Sequence, residues 1–137
     1  MKKYSQLLLG FAVILVGLLG ISSQAHAVTH YVQSSTPTIF VHGWGSSSHA
    51  EEKMANAARD AGVTKTIVRA NVDRKGKVTF NHQIPANAVN PIVEVNLEDN
   101  KLSAYQDDYT QGYHHGGGYV KNVVLALEKQ HHYKQIN

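Results

Sequence analysis

The residues best suited to chemistry lie between Thr38 and Ser48, in the sequence TIFVHGWGSSS. An apolar, β-branched run stops there at a His-Gly-x-Gly turn and is followed by a helix start. Glycines leave the main chain uncovered, so a backbone N–H can point at a negative charge that develops on a substrate oxygen. In this interpretation the N–H of Trp44 is an oxyanion donor, while Gly43 and Gly45 permit the tight path. The alternatives are a generic glycine loop and a Trp44 side chain that serves only in packing.

The chain begins with a segment typical of a secretion signal. A basic start (Lys2-Lys3) precedes an apolar stretch of fifteen residues (Leu7–Ile21) and an A-x-A cleavage sequence (Ala25–Ala27). The apolar stretch is shorter than the roughly 18 residues that suggest a spanning helix, so a stable membrane anchor is not expected. The sequence therefore predicts a signal peptide at residues 1–27 and a secreted, extracellular domain at residues 28–137, which could associate with the cell surface.

Export can be tested at the N-terminus of the protein itself. Protein recovered from the culture medium is expected to begin at Val28, because signal peptidase cleaves after the small residues of the A-x-A sequence. N-terminal sequencing measures this directly. Recovery only in the membrane fraction, with residues 1–27 still attached, would identify the segment as an anchor.

Composition argues against two classes of protein. The formal net charge of +3 falls to +1 when Lys2 and Lys3 leave with the signal peptide, and the largest remaining basic cluster is Arg74-Lys75-Gly76-Lys77. Nucleic-acid binding needs a broader basic surface, so no nucleic-acid partner is expected. The chain has no cysteine, and an exported domain without disulfides must rely on core packing.

Two segments have the hydrophobic spacing of amphipathic helices. The first covers residues 49–61, with Ser48 and Glu51 as a capping box and Gly62 as the stop. The second covers residues 119–132, and the Gly-, His- and Tyr-rich residues 111–118 are predicted to form a turn before it. The face of the first helix that is expected to pack on a sheet consists of Ala50, Met54, Ala57 or Ala58, and Ala61.

The remaining segments predict an α/β fold. A continuous apolar run suits a buried parallel strand at residues 38–42, and alternation at residues 92–97 suits a strand with one covered face. A mostly parallel sheet with flanking helices and an inserted hairpin accounts for this order. The other predicted elements are a strand at 64–72, a turn at 73–76, a hairpin partner at 77–84, a polar loop at 98–109 and a further strand from Ile136.

Taken in order, these features resemble a known family. The signal peptide, the HGWG turn, the alanine-rich helix, the hairpin at residues 73–76 and the sequence YHHGGGYV at residues 113–120 are similar to secreted α/β-hydrolases of Gram-positive bacteria. That family is classed as a domain of unknown function, and its members are often labelled cell-surface hydrolases. The resemblance covers nearly all of residues 37–137. It implies esterase- or lipase-like acyl hydrolysis through a serine, with no metal or organic cofactor.

The resemblance also implies that the nucleophile is absent from these residues. In the family, the helix that matches residues 119–132 leads into a strand and a Gly-His-Ser-x-Gly turn, followed by an acidic residue and a histidine. No Gly-x-Ser-x-Gly occurs in this sequence, although the fold carries its nucleophile there. The chain is therefore expected to be an N-terminal portion, truncated before the nucleophile and inactive as given. Only Trp44, surrounded by His42, Gly43 and Gly45, carries over from the family.

Other polar residues are interpreted as structural. The triad of this fold runs Ser, then Asp or Glu, then His, so His42 cannot be the base and is expected to support the turn. Ser46–Ser48 is expected to form a helix entry, although Ser46 could line a substrate cleft. The histidine pairs at 114–115 and 131–132 lack further ligands at a suitable spacing, so no metal site is predicted. Chain order also excludes from the triad His49, Asp107, Asp108, His114 and His115.

Two functions remain open from the sequence. The first is the N-terminal part of an exported serine hydrolase whose partner is a small-molecule or lipid-like ester, with an oxyanion hole partly built at Trp44. The second is a non-catalytic secreted binding or surface-associated module that uses the Tyr- and His-rich segment from Tyr105 to Tyr119. Within that segment, residues 112–116 are expected to lie near the mouth of the cleft.

Overall fold

The structure is a computed structural model that describes residues 31–103 and 108–137. The predicted signal peptide lies outside the described residues. In chain order the elements are β1 (Thr38–Val41), α1 (His49–Asp60), β2 (Ile67–Val72), β3 (Val78–Phe80), β4 (Ile92–Leu97) and α2 (Tyr109–His131). None of the helices within the two described ranges has the length and hydropathy needed to cross a membrane.

The four strands form one sheet in the order β1-β4-β2-β3. β4 pairs in parallel with β1 on one side and with β2 on the other, while β3 returns antiparallel to β2. Successive side chains of β2 point to opposite faces: Val68 packs in the core with Val123 of α2, whereas Arg69 contacts Glu52 of α1. The predicted α/β fold, a mostly parallel sheet with flanking helices and a hairpin, is confirmed.

β4 has a different environment from the one predicted. The alternation of its sequence predicts one covered face, but its first four residues are all buried, because β4 lies between β1 and β2 with a helix on each face. The misleading residue is Glu94, a carboxylate that is only 4% exposed. β1 was predicted to be buried and is instead half-buried, with Val41 exposed, because it is the outermost assigned strand on its side of the sheet.

Glu94 belongs to a charged cluster beneath α1. Its Oε2 lies 3.7 Å from Nη2 of Arg69, and the same nitrogen lies 2.6 Å from Oε1 of Glu52. Oε1 of Glu94 is buried without a hydrogen-bond partner in the described part of the chain. Burial therefore raises the pKa of Glu94, and the positive charge of Arg69 partly offsets this rise. The hydrogen bond from His49 lowers the pKa of Glu52.

Glu94→Gln is expected to change how stability depends on pH. Because its folded-state pKa is raised above the ordinary value of 4.5, the stabilisation that Glu94 contributes is fully present below that value and is lost as the pH rises through the folded pKa. Glutamine is neutral throughout. Urea denaturation across this range should show the wild type losing stability relative to the variant. A difference that stays constant with pH would contradict the raised pKa. Glu128→Gln, an exposed change on α2, is the control.

α1 matches its predicted span to within one residue at its C-terminal end. It covers His49–Asp60, and Gly62 follows with φ +76°, a left-handed conformation that glycine adopts without strain. The predicted capping box is wrong. Ser48 has helical backbone angles and makes no side-chain capping bond, and its N–H donates instead to Oδ1 of Asn96 at 3.3 Å.

The predicted packing face of α1 is also wrong. Ala55 is the fully buried residue, whereas Met54 is 53% exposed. The side of the helix that carries Glu52 and Ala55 faces the sheet, and Glu52 there forms an ion pair with Arg69 of β2. Ala58 is half-buried, and the exposed members of the predicted face are Ala50, Ala57 and Ala61.

α2 begins well before the predicted start at Tyr119. Residues 111–118, predicted to be a turn, form part of the helix Tyr109–His131. The side chain of Asp108 accepts a hydrogen bond from the N–H of Gln111 at 3.0 Å, which satisfies an otherwise unpaired donor of the first turn. His132, predicted as the last helical residue, ends the helix in a left-handed conformation with φ 58°.

Contacts with the hairpin hold α2 in place. The Tyr119 hydroxyl donates to the Arg74 carbonyl at 2.9 Å, and Nδ2 of Asn122 donates to the Gly76 carbonyl at 2.9 Å. Gly76 has φ +80°, and a Cβ there would lie 2.7 Å from the Asn122 amide, so this position requires glycine. The turn at Asp73–Gly76 is confirmed, while β2 and β3 are shorter than the predicted ranges 64–72 and 77–84.

Asn137 lies beside the outer edge of β1. Its N–H donates to the Pro37 carbonyl at 2.9 Å, and its carbonyl accepts from the Ile39 N–H at 2.8 Å. In a parallel ladder, one residue bonds through its N–H and its carbonyl to the two residues that flank its partner on the neighbouring strand. Asn137 bonds in this way to the two residues that flank Thr38. The strand expected from Ile136 therefore corresponds to a single parallel bridge at Asn137.

Candidate functional site

The glycine turn leaves the sheet at the end of β1. Val41 is the last residue of that strand, and the chain passes through His42–Gly45 and the three serines into α1. Because β1 and β4 are parallel, their carboxyl ends meet at the same edge of the sheet. Open α/β sheets bind ligands outside this edge, so the turn occupies a suitable position for chemistry.

Both ring nitrogens of His42 are occupied within the protein. The ring is buried, at 6% exposure, and Nε2 lies 3.1 Å from the Leu97 N–H, from which it accepts a hydrogen bond. An accepting Nε2 leaves the ring proton on Nδ1, which lies 2.9 Å from the Gly43 carbonyl and donates to it. His42 therefore joins the end of β4 to the turn.

These bonds fix the direction of the Trp44 N–H. The Gly43 carbonyl also accepts from the Ser46 N–H at 3.2 Å. This carbonyl and the Trp44 N–H belong to one trans peptide, so they point in opposite directions. The N–H of Trp44 consequently points away from the His42 ring, and it donates to no group in residues 31–103 or 108–137.

The two glycines of the turn have different roles. Gly45 has φ +69°, a conformation that costs L-residues energy, and its N–H donates to the Asn100 carbonyl at 2.9 Å. Nδ2 of Asn100 donates in turn to the Ser46 carbonyl at 2.6 Å. Gly43 has no such backbone requirement, and a Cβ at that position would meet no atom within 4 Å. Gly43 contributes by leaving open space beside Trp44.

A cavity of about 230 Å³ lies between this turn and the N-terminal half of α2. The strand ends and the turn form one wall, and α2 forms the other. At the rim, Trp44 is 55% exposed and Tyr113 is 75% exposed. The lining residues are Val41, His42, Gly43, Trp44, Leu97, Asp99, Asn100, Leu102, Tyr113, Gly116, Gly117 and Val120.

Other cavities and predicted residues contribute little to this site. A larger cavity of about 430 Å³ lies at the opposite edge of the sheet, beside Tyr31 and Pro85, and contains none of the turn. Ser46, predicted as a possible cleft residue, does not line the cavity beside Trp44, and its N–H and carbonyl bond to Gly43 and Asn100. Residues 112–116 approach the cavity as predicted, but as part of a helix.

The remaining histidines and acids occur at separate places. His49 pairs with Glu52 at 2.8 Å, and Nε2 of His115 lies 2.9 Å from the Tyr119 hydroxyl. His131 packs edge-on against Phe80, and burial lowers its pKa. In the part of the chain that the structure describes, no three His, Asp or Glu residues are grouped to hold a metal ion. Asp107 lies outside the described residues.

Sequence reasoning missed the two features that surround the turn. Asn100 lies in a segment predicted only as a polar loop, yet it bonds to the N–H of Gly45 and to the carbonyl of Ser46. The glycines of α2 were interpreted as a turn, yet Gly116 and Gly117 line the cavity. Four glycines at 112, 116, 117 and 118 near a predicted helix start were the available signal of open space on this side of the helix.

Comparisons with known proteins agree with this fold. Among solved structures, the product of gene lin2722 from Listeria innocua is similar, with a TM-score of 0.59 and 22% identity, and the match covers 75% of this chain and 38% of that chain. At that identity the likeness supports the fold alone, and the chain spans well under half the length of this relative. No curated protein matches the sequence.

Residues 25–137 match the model of a family described as an alpha/beta hydrolase of unknown function (DUF915). The match covers most of the chain and confirms the family resemblance predicted from the sequence. The chain therefore belongs to this family of α/β-hydrolases of unknown function.

Proposed function

We propose that this chain is the N-terminal part of an exported serine hydrolase that cleaves esters, and that the Trp44 N–H is one donor of its oxyanion hole. Membership of an α/β-hydrolase family supports the reaction class. The match to 38% of the solved relative supports a larger catalytic unit. The sequence of residues 1–27 supports export.

The observation that carries the proposal is the bridge between Asn137 and β1. Since the Ile39 N–H points outward to Asn137, strand alternation makes the Ile39 carbonyl and the Val41 N–H point outward too. Neither has a partner on that side in the described residues. A strand that continues in this register would bond to both groups. Its end would lie beside the turn that contains Trp44, where the fold places a nucleophile.

The proposed chemistry is acyl transfer. A serine hydroxyl attacks the ester carbonyl carbon, its proton passes to a histidine base, and the carbonyl oxygen becomes an oxyanion. The ester C–O bond then breaks, and the alcohol leaves with the proton from the histidine, so that the acyl group remains on the serine until water releases it as the acid. The Trp44 N–H stabilises that charge, because its direction is fixed before the substrate arrives. His42 takes no proton in this scheme, since its nitrogens hold Leu97 and Gly43. The reaction needs no metal or organic cofactor.

A non-catalytic secreted module is the second candidate. Exposed Tyr113 and His114 on α2 favour it, because aromatic and imidazole side chains on a surface are suited to binding. Part of the segment proposed for this role, residues 104–107, lies outside the described residues. In this alternative the Trp44 N–H has no catalytic partner.

The encoding DNA distinguishes the two candidates. If the chain is part of a hydrolase, the reading frame should continue with a strand of about 4–8 residues, a Gly-x-Ser-x-Gly sequence, and later an acidic residue and a histidine. A reading frame that lacks the serine turn would contradict the hydrolase and favour the binding module.

A further inference from the structure

We infer that the cavity beside Trp44 is a pocket for a short aliphatic acyl group of a neutral ester, and that Gly117 sets the size of the group it accepts. The inference rests on the proposed function, because the Trp44 N–H would bind the carbonyl oxygen of the same ligand. It adds a substrate class and a residue that determines specificity.

The glycines of α2 provide the first argument. Glycine is the least favourable residue in a helix interior apart from proline, yet three consecutive glycines lie inside α2. A Cβ at Gly116 would lie 3.4 Å from Cδ1 of Leu102, so a side chain at Gly116 would be in van der Waals contact with this leucine. Gly117 lines the cavity and is exposed, and a Cβ there would meet no atom within 4 Å. A side chain at Gly117 would therefore extend into the open space at the mouth of the cavity.

The walls provide the second argument. Leu102 is 7% exposed and has φ 48°, a strained conformation for leucine that keeps an apolar side chain against the helix. Leu97 and Val120 extend the apolar surface. At about 30 Å³ for each water-sized group, a volume of about 230 Å³ admits about seven or eight heavy atoms, enough for a four-carbon acyl group with both ester oxygens.

Charge distinguishes between an ester and its acid. Asp99 is the acidic residue among those that line the cavity, and its Oδ1 accepts bonds from the N–H and the hydroxyl of Ser103, each at 3.0 Å. A carboxylate would bring a full negative charge beside Asp99, whereas the carbonyl oxygen of a neutral ester can accept from the Trp44 N–H without that charge. The pocket should therefore bind ethyl butyrate in preference to butyrate.

Fluorescence of the purified protein tests the pocket directly. Trp44 is the single tryptophan of the chain, so its emission reports on ligands in this cavity. Titration with ethyl butyrate should change the emission saturably, and the NMR amide signals of Trp44, Gly116 and Gly117 should shift together. Sodium butyrate at equal concentration should give a much smaller change. Absence of a saturable change, or equal binding of butyrate, would overturn the inference.

Two matched glycine variants test the role of Gly117. Gly117→Val should weaken ethyl butyrate binding at least about tenfold, because its side chain occupies the mouth of the cavity. Gly118→Val is the matched control, since Gly118 has the same open surroundings but does not line the cavity, and its affinity should stay within about twofold. If NMR shows that Gly117→Val does not fold, Gly117→Ala and Gly118→Ala form the matched pair, and Gly117→Ala is expected to lose an intermediate amount of affinity for ethyl butyrate. Equal binding by the Gly117 and Gly118 variants would refute the role of Gly117.

Binding in this assay requires no nucleophile, so the pocket and the proposed function can fail separately. A protein that binds ethyl butyrate while its reading frame lacks the serine turn refutes the hydrolase. A reading frame that contains the serine turn, together with a protein that does not bind ethyl butyrate, refutes the pocket alone.

Discussion

Trp44→Pro is expected to lower kcat by about 10²–10³-fold in the proposed serine hydrolase, the typical loss when one oxyanion donor is removed. Proline has no backbone N–H, so the variant loses the proposed oxyanion donor. In the wild type, the bonds to the Gly43 carbonyl orient the Trp44 N–H away from His42. The residue before the proline would be Gly43, which tolerates the backbone restriction that proline imposes on its neighbour. Steady-state kinetics with a short-chain nitrophenyl ester measures the effect.

Trp44→Phe is the matched control for this prediction. It keeps the backbone N–H and an aromatic ring beside the cavity, so kcat should change little. Any change in KM would reflect the smaller side chain in the wall of the cavity. Circular dichroism of both variants separates a catalytic loss from unfolding. An unchanged kcat in a folded Trp44→Pro variant would contradict the oxyanion assignment.

The 137-residue chain alone is expected to self-associate through the edge of β1. The Ile39 carbonyl and the Val41 N–H point outward without partners in the described residues, and Val41 is 39% exposed. Unpaired strand edges with apolar side chains pair with other chains. Light scattering after size exclusion should show a mass that rises with protein concentration.

Val41→Pro should shift the chain towards monomer. Its ring replaces an N–H that points away from β4, so no bond of the internal ladder is lost, and proline is tolerated at such edge positions. Val41→Thr keeps the N–H and should still associate. A wild-type chain that stays monomeric and melts cooperatively would contradict the expected role of this edge.

Local sequence patterns were sufficient to predict most elements of the fold. Hydrophobic spacing located α1 and β4, and turn residues located the hairpin at Asp73–Gly76, because these features depend on neighbours in the chain. The start of α2 could not be predicted in this way. Its glycines disfavour a helix locally, and the bonds from Tyr119 and Asn122 to the hairpin, with the cap at Asp108, connect residues distant in sequence.

The candidate site was predictable only in part, for a similar reason. The His-Gly-x-Gly pattern identified Trp44 as a candidate, since its chemistry resides in four consecutive residues. The sequence does not reveal that β4 lies beside β1, so it could not indicate that Leu97 bonds to His42 or that Asn100 bonds to Ser46. The charge at Glu94 likewise concealed the central position of β4.

Labelling with a fluorophosphonate probe tests the central claim most directly. The product of the complete reading frame should be labelled stoichiometrically at the serine of a Gly-x-Ser-x-Gly turn, because only an activated serine attacks the probe. The 137 residues alone should remain unlabelled. Stoichiometric labelling of these 137 residues, at Ser46 or elsewhere, would contradict the account, and so would a complete product that is folded and not labelled.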